Sequence, residues 1–217
     1  MSEGLRERKK RETRQRISDI ATGLFTARGF DDVTVAEIAR AADVSVNTVF
    51  NYFATKEDLL LDRAPEVEEL LARVFRERRP GEGVLDAVRR DFLDAVDSGH
   101  YRYGFHEADS GFIKMIESSP SLVARVREMD EARERKLAEA IAEELGTGPG
   151  DPAPGLVAAQ IGAVLRTVVR YAVRRMLAGE TVEAIAPDLR AQGERAFALL
   201  ESGIAGYATR PAERPAG

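Results

Sequence analysis

The chain has 217 residues, 44% hydrophobic and 32% charged, with a formal net charge of −5 and no cysteine. There is enough apolar material for a buried core, and the lack of cysteine excludes disulfides, thiolate metal sites and a cysteine nucleophile. A negative balance argues against indiscriminate coating of nucleic acid, but the charge is unevenly spread. Between Leu5 and Arg16, Arg6, Arg8, Lys9, Lys10, Arg11, Arg14 and Arg16 outweigh Glu7 and Glu12. Residues 1–56 carry a net of +2 and residues 57–217 a net of −7, so a basic extremity sits on an acidic body. The most apolar stretch, 155–177, is interrupted by Gln160, Arg166, Arg170, Arg174 and Arg175, which argues against a membrane span. The basic start is not followed by the apolar segment and cleavage site of a signal peptide. The expectation is a cytoplasmic protein with no membrane partner.

Taken in chain order, nearly every segment has helical period, and the predicted fold class is all-α. A first helix runs from about Arg6 to Arg28, with Ile17, Ile20, Ala21, Leu24 and Phe25 on one face and Gly29 as its stop. Thr34 with Glu37 makes a capping box for a second helix, whose apolar side is Val35, Ile38, Ala39 and Ala42. After a turn at Asp43, Ser45 caps a third helix, Val46 to Phe53. Thr55 caps a fourth, predicted to continue from Lys56 to about Arg78. Further helices are expected over 84–96, 105–117, 120–145, 151–178 and 181–207, about nine in all. Their starts are marked by Ser119-Pro120, Asp151-Pro152 and Thr181. On the helix after Pro152, Leu156, Ala159, Ala163, Arg166 and Val169 read as the core face.

The stretch Thr34 to Lys56 carries the functional signal. Two short helices joined by a tight turn bury little alone and must pack on a third, as in a helix-turn-helix. Val49 and Phe53, one turn apart, lock the third helix against Ile38, Val44 and Phe25. The opposite side then offers Val46, Asn47, Thr48, Asn51 and Tyr52. Such groups suit a major groove: Asn and Thr hydrogen-bond base edges or phosphates, and Val meets a thymine methyl. Thr34, Thr48, Tyr52 and Lys56 are candidate backbone anchors, helped by helix N-termini at Thr34 and Lys56 and by the basic arm.

These residues resemble the tetracycline-repressor (TetR) family of bacterial regulators. The likeness covers about Arg14 to Leu61 and includes Gly29-Phe30, Thr34-Val35, Ile38-Ala39, Ala42, Val44-Ser45, Thr48, Tyr52-Phe53 and Lys56-Glu57. It implies a repressor that binds a double-stranded, pseudo-palindromic DNA operator as a homodimer and responds to an unidentified small-molecule effector. It also implies a three-helix DNA-binding domain over 1–56, a larger helical domain for ligand binding and dimerisation over 57–207, and a tail over 208–217. The DNA-binding set is then Thr34, Val35, Ser45, Val46, Asn47, Thr48, Phe50, Asn51, Tyr52 and Lys56. Three positions depart from the usual pattern: Asn47 where glycine is common, Phe50 where tyrosine is common, and Asn51 where histidine or an aromatic residue is frequent. These changes bear on which operator is read.

The body is less informative. Tyr103, Phe105, His106, Phe112, Met115, Arg166 and Tyr171 are candidates for lining an apolar effector pocket with a few polar contacts. Arg166 and Arg170, one helical turn apart in an otherwise apolar helix, have the charge to meet an anionic ligand, but an ion pair within the chain or at a dimer interface is the favoured expectation. No metal site, cofactor or catalytic residue is expected. His100 and His106 do not share a helical face, and Gly146, Gly148 and Gly150 lack the Gly-Lys-Ser/Thr ending of a phosphate loop. The alternatives are an activator, a regulator controlled by a protein partner, and an all-helical enzyme; no convergent cluster of titratable residues favours the enzyme.

Overall fold

A computed structural model of the chain describes residues 4–103, 109–148, 150–204 and 209. Among the described residues it contains ten α-helices and one 3-10 turn, and no strand. The helices are α1 (Leu5–Arg28), α2 (Val35–Ala41), α3 (Val46–Phe50), α4 (Glu57–Leu60), α5 (Ala64–Arg76), α6 (Val84–Asp97), α7 (Asp109–Ser118), α8 (Pro120–Leu145), α9 (Ala153–Leu177) and α10 (Val182–Ile204). The chain divides into two compact units. Unit 1 is Met1–Pro65 with Lys114–Val126, and unit 2 is Glu66–Ile113 with Arg127–Gly217.

Unit 1 is built on α1. Ile17, Ala21 and Phe25 are fully buried on its inner face, and Phe25 packs on Phe30 with ring centroids 4.8 Å apart. Gly29 ends the helix at φ 90, its N–H donating to the Phe25 carbonyl, a left-handed conformation that glycine adopts without the Cβ clash. Ile38 and Ala39 of α2 and Val49 of α3 close the core with Val33, Ala42 and Phe53. A buried Val, Ile or Phe side chain contributes about 1.5–3 kcal/mol each, so short helices that could not persist alone are held by this common core.

The expected single helix from Lys56 to Arg78 is broken. α4 stops at Leu60, Leu61 takes φ −94 and ψ 46, and α5 opens at Ala64. Pro65 supplies the reason: it has no N–H to return to the Leu61 carbonyl, and it stands in the first turn of α5, where that missing donor is tolerated. The break is anchored at Asp62, whose carboxylate accepts from the Ser18 hydroxyl at 2.9 Å and whose carbonyl accepts from the Arg14 guanidinium at 2.9 Å.

Unit 2 packs α10 against α6 and α9. Phe92 of α6 lies 5.8 Å from Phe197 of α10 between ring centroids, and the close approach depends on Gly193, where a β-carbon would stand 2.6 Å from the Phe92 ring. The predicted core face of α9 is corrected by the structure. Leu156 is 59% exposed, and Ala159 and Ala163 are also exposed. The buried face is instead Val157, Ala158, Ile161, Leu165, Val168, Ala172 and Met176. Exposed Gln160, Arg170 and Arg174 form a polar arc opposite this face, and the predicted face strayed from it because Leu156, Ala159 and Ala163 add apolar residues to the outer side. By length and composition α9 could cross a membrane, but in this fold it is a core helix. Gly162 leaves room for the Glu134 carboxylate, which pairs with Arg166.

Candidate nucleic-acid interface

The turn between α2 and α3 is set by Asp43 at φ 53, a left-handed position that Asp tolerates better than most residues with a side chain. The Val44 N–H returns to the Ala39 carbonyl at 2.9 Å, which aims α3 away from α2. Ser45 caps α3, its hydroxyl accepting from the Thr48 N–H at 3.0 Å and lying 2.8 Å from the Thr48 hydroxyl. With Val49 and Phe53 buried, the opposite side of the segment is open to solvent. Val46 is 41% and Phe50 48% exposed. Ser45, Asn47 and Asn51 are exposed, and Thr48 and Tyr52 half-buried. α3 proper ends at Phe50, and Asn51 and Tyr52 lie in the turn that follows. Nevertheless the Phe53 N–H still reaches the Val49 carbonyl at 3.0 Å, so the predicted face persists beyond the helix end.

The framing residues are more occupied than the sequence suggested. Thr34 and Glu37 form the full capping box: the Thr34 N–H and hydroxyl each donate to the Glu37 carboxylate at 2.8 Å. The Thr34 backbone bond, its hydroxyl and the Arg28 guanidinium 2.8 Å away hold the Glu37 carboxyl down at about 2. A phosphate at Thr34 therefore has to replace the Glu37 oxygen. Val35, beside it, is half-buried. Thr55 and Asp58 cap α4 reciprocally, and Asp58 also accepts from Arg125 at 2.9 Å, so the N–H groups there are engaged too. Lys56 lays its ammonium over the Phe30 ring, 4.3 Å from the centroid, an apolar seat that leaves the charged head at the edge of the unit. Arg14 is not a free member of the basic arm: it stacks on Phe53 at 4.6 Å besides its bond to Asp62. Arg6, Arg8, Lys9, Lys10 and Arg16 are exposed on α1.

The effector candidates are not brought together as one set. Phe105 and His106 lie outside the described residues. Met115 belongs to unit 1, while Tyr103, Phe112, Arg166 and Tyr171 belong to unit 2. Tyr103 is buried, its hydroxyl donating to Asp91 at 2.9 Å. Phe112 is half-buried. Arg166 is committed to Glu134, the within-chain pairing weighed from the sequence. Tyr171 accepts from Arg175 at 3.0 Å. A depression of about 150 Å³ bounded by Ser110, Met176, Gly179, Glu180, Thr181 and Val182 includes none of them. Arg133 went unnoticed, although it stands four residues from both Met129 and Leu137 on the buried stripe of α8; a charge at that spacing was a readable signal.

Comparisons with known proteins agree with this geometry. Residues 17–62 match the bacterial regulatory proteins of the tetR family, and residues 82–205 match the MftR C-terminal domain. The chain is 33% identical over 173 residues to the transcriptional regulator TcmR of Streptomyces glaucescens, covering 77% of this chain and 76% of that one. Among solved structures, NalD of Pseudomonas aeruginosa, the secondary repressor of the MexAB-OprM multidrug efflux pump, superposes with a TM-score of 0.54 at 20% identity, covering 86% of this chain and 97% of its own. A SmeT–triclosan complex superposes with a TM-score of 0.53 at 18% identity, covering 95% and 98%. These two share the fold. An exposed α3 on a three-helix core, a match over each part of the chain and a relative of this coverage lead to one conclusion: the chain belongs to the TetR family of DNA-binding transcriptional regulators.

Proposed function

We propose that this chain is an effector-responsive repressor that acts in the cytoplasm as a homodimer on a pseudo-palindromic operator. The observation that carries the reading is the two-sidedness of α3: Val49 and Phe53 are buried while Val46 and Phe50 are open to solvent, with exposed Asn47 and Asn51. Asn47 and Asn51 read base edges, Val46 and Phe50 meet thymine methyls or sugars, and Thr48, Tyr52, Ser45, Thr34, Val35 and Lys56 fix the register on the backbone. The DNA-binding role falls to residues up to about 56, and effector binding and dimerisation to those that follow.

Support for the dimer comes from the outer faces of α9 and α10. Leu156 is 59% and Leu199 77% exposed, among exposed Ala159, Ala163, Ala191 and Ala198. Large apolar side chains open to water beside small ones suit a helix–helix seam between two copies. Support for an effector comes from the likeness to a structure described as a triclosan complex, and for repression from one described as a repressor.

The test is binding of the purified chain to a duplex carrying its own upstream region, with a salt titration and an unrelated duplex as control. The expected result is saturable, sequence-dependent binding of two chains per site with a steep salt slope. Binding equal to the control, confirmed by failure to enrich any site from random sequence, would sink the reading. In sedimentation, Leu199→Glu is expected to shift the chain toward monomer; an unchanged dimer would remove α10 from the interface.

A further inference from the structure

Several arginines of unit 2 are each held by more than one acceptor. Arg78 is fully buried, yet it donates to the Phe75 carbonyl, grips the Glu144 carboxylate through both terminal nitrogens and stacks on the Phe75 ring at 3.9 Å. Arg89 is held by Glu194 and Glu201, Arg90 by both oxygens of Glu82, and Arg102 by Asp91 and Asp94. Each guanidinium has two acceptors.

Arg133 differs. It is 6% exposed, on the stripe of α8 that buries Met129, Ala132, Leu137 and Ala140. Its bond is to Asp130, one turn back on the same helix, at 2.7 Å through one terminal nitrogen. Its Nε is buried with no hydrogen-bond partner among the described residues. The same holds for Arg78 and Arg102, but their terminal nitrogens reach two acceptor residues each, whereas those of Arg133 reach Asp130. A guanidinium does not escape burial by losing its proton, and a buried cation is costly unless it is both paired and fully hydrogen-bonded. The Asp91 carboxylate is already spent, accepting from the Tyr103 hydroxyl at 2.9 Å and facing Arg102 at 3.2 Å. Burial and Asp91 push the Tyr103 hydroxyl well above its usual range, and the positive charges of Arg133 and Arg102 oppose that rise. The Arg133 charge thus acts on the same buried region as Tyr103.

We propose that Arg133 anchors an anionic effector, a carboxylate on an apolar body, whose oxygens accept from the guanidinium edge that the described residues leave unsatisfied. The proposal rests on reading unit 2 as the effector-binding part of a repressor. The carboxylate supplies the acceptor and the charge that Asp130 alone does not, and the apolar stripe of α8 that carries Met129 and Leu137 matches an apolar body in chemistry. A buried water would satisfy Nε but bring no charge, which separates the two readings.

The test uses the full-length chain and its Arg133→Met and Arg133→Lys variants. The probes are benzoate, 1-naphthoate and cyclohexanecarboxylate, each beside its primary amide. Without any probe, Arg133→Met is expected to raise the melting temperature by a few degrees, because it removes an under-compensated buried charge. With probes, a carboxylate is expected to raise the melting temperature of the parent chain where its amide does not. Arg133→Met should weaken that carboxylate on the order of tenfold to a hundredfold, with partial rescue by Arg133→Lys. A fall of several degrees for Arg133→Met alone would mark Arg133 as a structural pair with Asp130 and overturn the proposal, as would amides acting as strongly as acids or no carboxylate-specific shift. Carboxylate-specific stabilisation that leaves bound operator DNA in place would keep the anion site and remove the effector reading. Release of DNA by the neutral amides alone would keep the effector reading and overturn the role of Arg133.

Discussion

Unit 1 turns apolar side chains inward and leaves Asn47, Asn51 and a short helix open to water. Unit 2 does much of the reverse, sinking Arg78 and Arg133 into its interior while exposing Leu156 and Leu199. Both are helical and both bury a continuous core, so the contrast is not one of fold. It lies in what each surface lacks. Exposed amides and hydroxyls on a short helix are completed by base edges and phosphates, while exposed leucines are completed by another apolar surface. An under-paired interior cation is completed by an anion.

The most severe way to break the comparison is to empty one core at a time. Phe25→Ala removes a fully buried ring and is expected to cost about 3–5 kcal/mol, abolishing duplex binding while the unfolding transition of unit 2 holds its midpoint. Urea melts followed by circular dichroism check this, and a single transition moving as a whole would show that the two units unfold together. The mirror experiment is Gly193→Val. The added β-carbon meets Phe92 at 2.6 Å, so unit 2 should lose about 1–3 kcal/mol. Phe92→Leu should recover part of that in the double variant, and additive losses would place the strain elsewhere.

A smaller effect tests the turn that aims α3. Asp43 sits at φ 53, where a β-branched side chain is disfavoured by about 1–2 kcal/mol. Asp43→Val should therefore lower both stability and duplex affinity, and Asp43→Gly should preserve both. Equal behaviour of the two variants would mean that backbone conformation there is not limiting.

The smallest expected effect is the acid response of unit 1. The Glu37 carboxyl sits at about 2 when folded, against an ordinary 4.5. Its folded value is depressed, so its contribution is complete above about 4.5 and is lost as pH falls toward 2. Glu37→Gln should flatten the melting temperature of unit 1 over that window and leave unit 2 unaffected; an unchanged slope would deny the capping box its part in acid sensitivity.

Much of unit 1 was legible because its signals are local. A capping box at Thr34, an N-cap at Ser45 and the four-residue spacing of Val49 and Phe53 each constrain a few neighbours, and the structure shows all three. The break between α4 and α5 was also written locally, in Pro65, but an uninterrupted apolar period masked it. In unit 2 the decisive facts are pairings between distant positions. Which side of α9 faces inward depends on α10, and Arg166 is settled by Glu134 thirty-two residues earlier. The sequence marks Thr34 as a phosphate anchor without showing that its hydroxyl donates to Glu37. Nor does it distinguish Arg14, stacked on Phe53, from the other charges of the arm. Side-chain partners of this kind leave no periodic trace.

The central claim is that α3 reads sequence while its flanks hold the backbone. It is tested most directly by measuring Asn47→Ala, Asn51→Ala and Lys56→Ala against a panel of single-base operator variants across a salt titration. The two asparagine variants are expected to lose about 1–3 kcal/mol of discrimination at particular base pairs. Lys56→Ala should weaken all sequences alike and lower the salt slope by about one. Uniform loss across the panel for all three variants would contradict it.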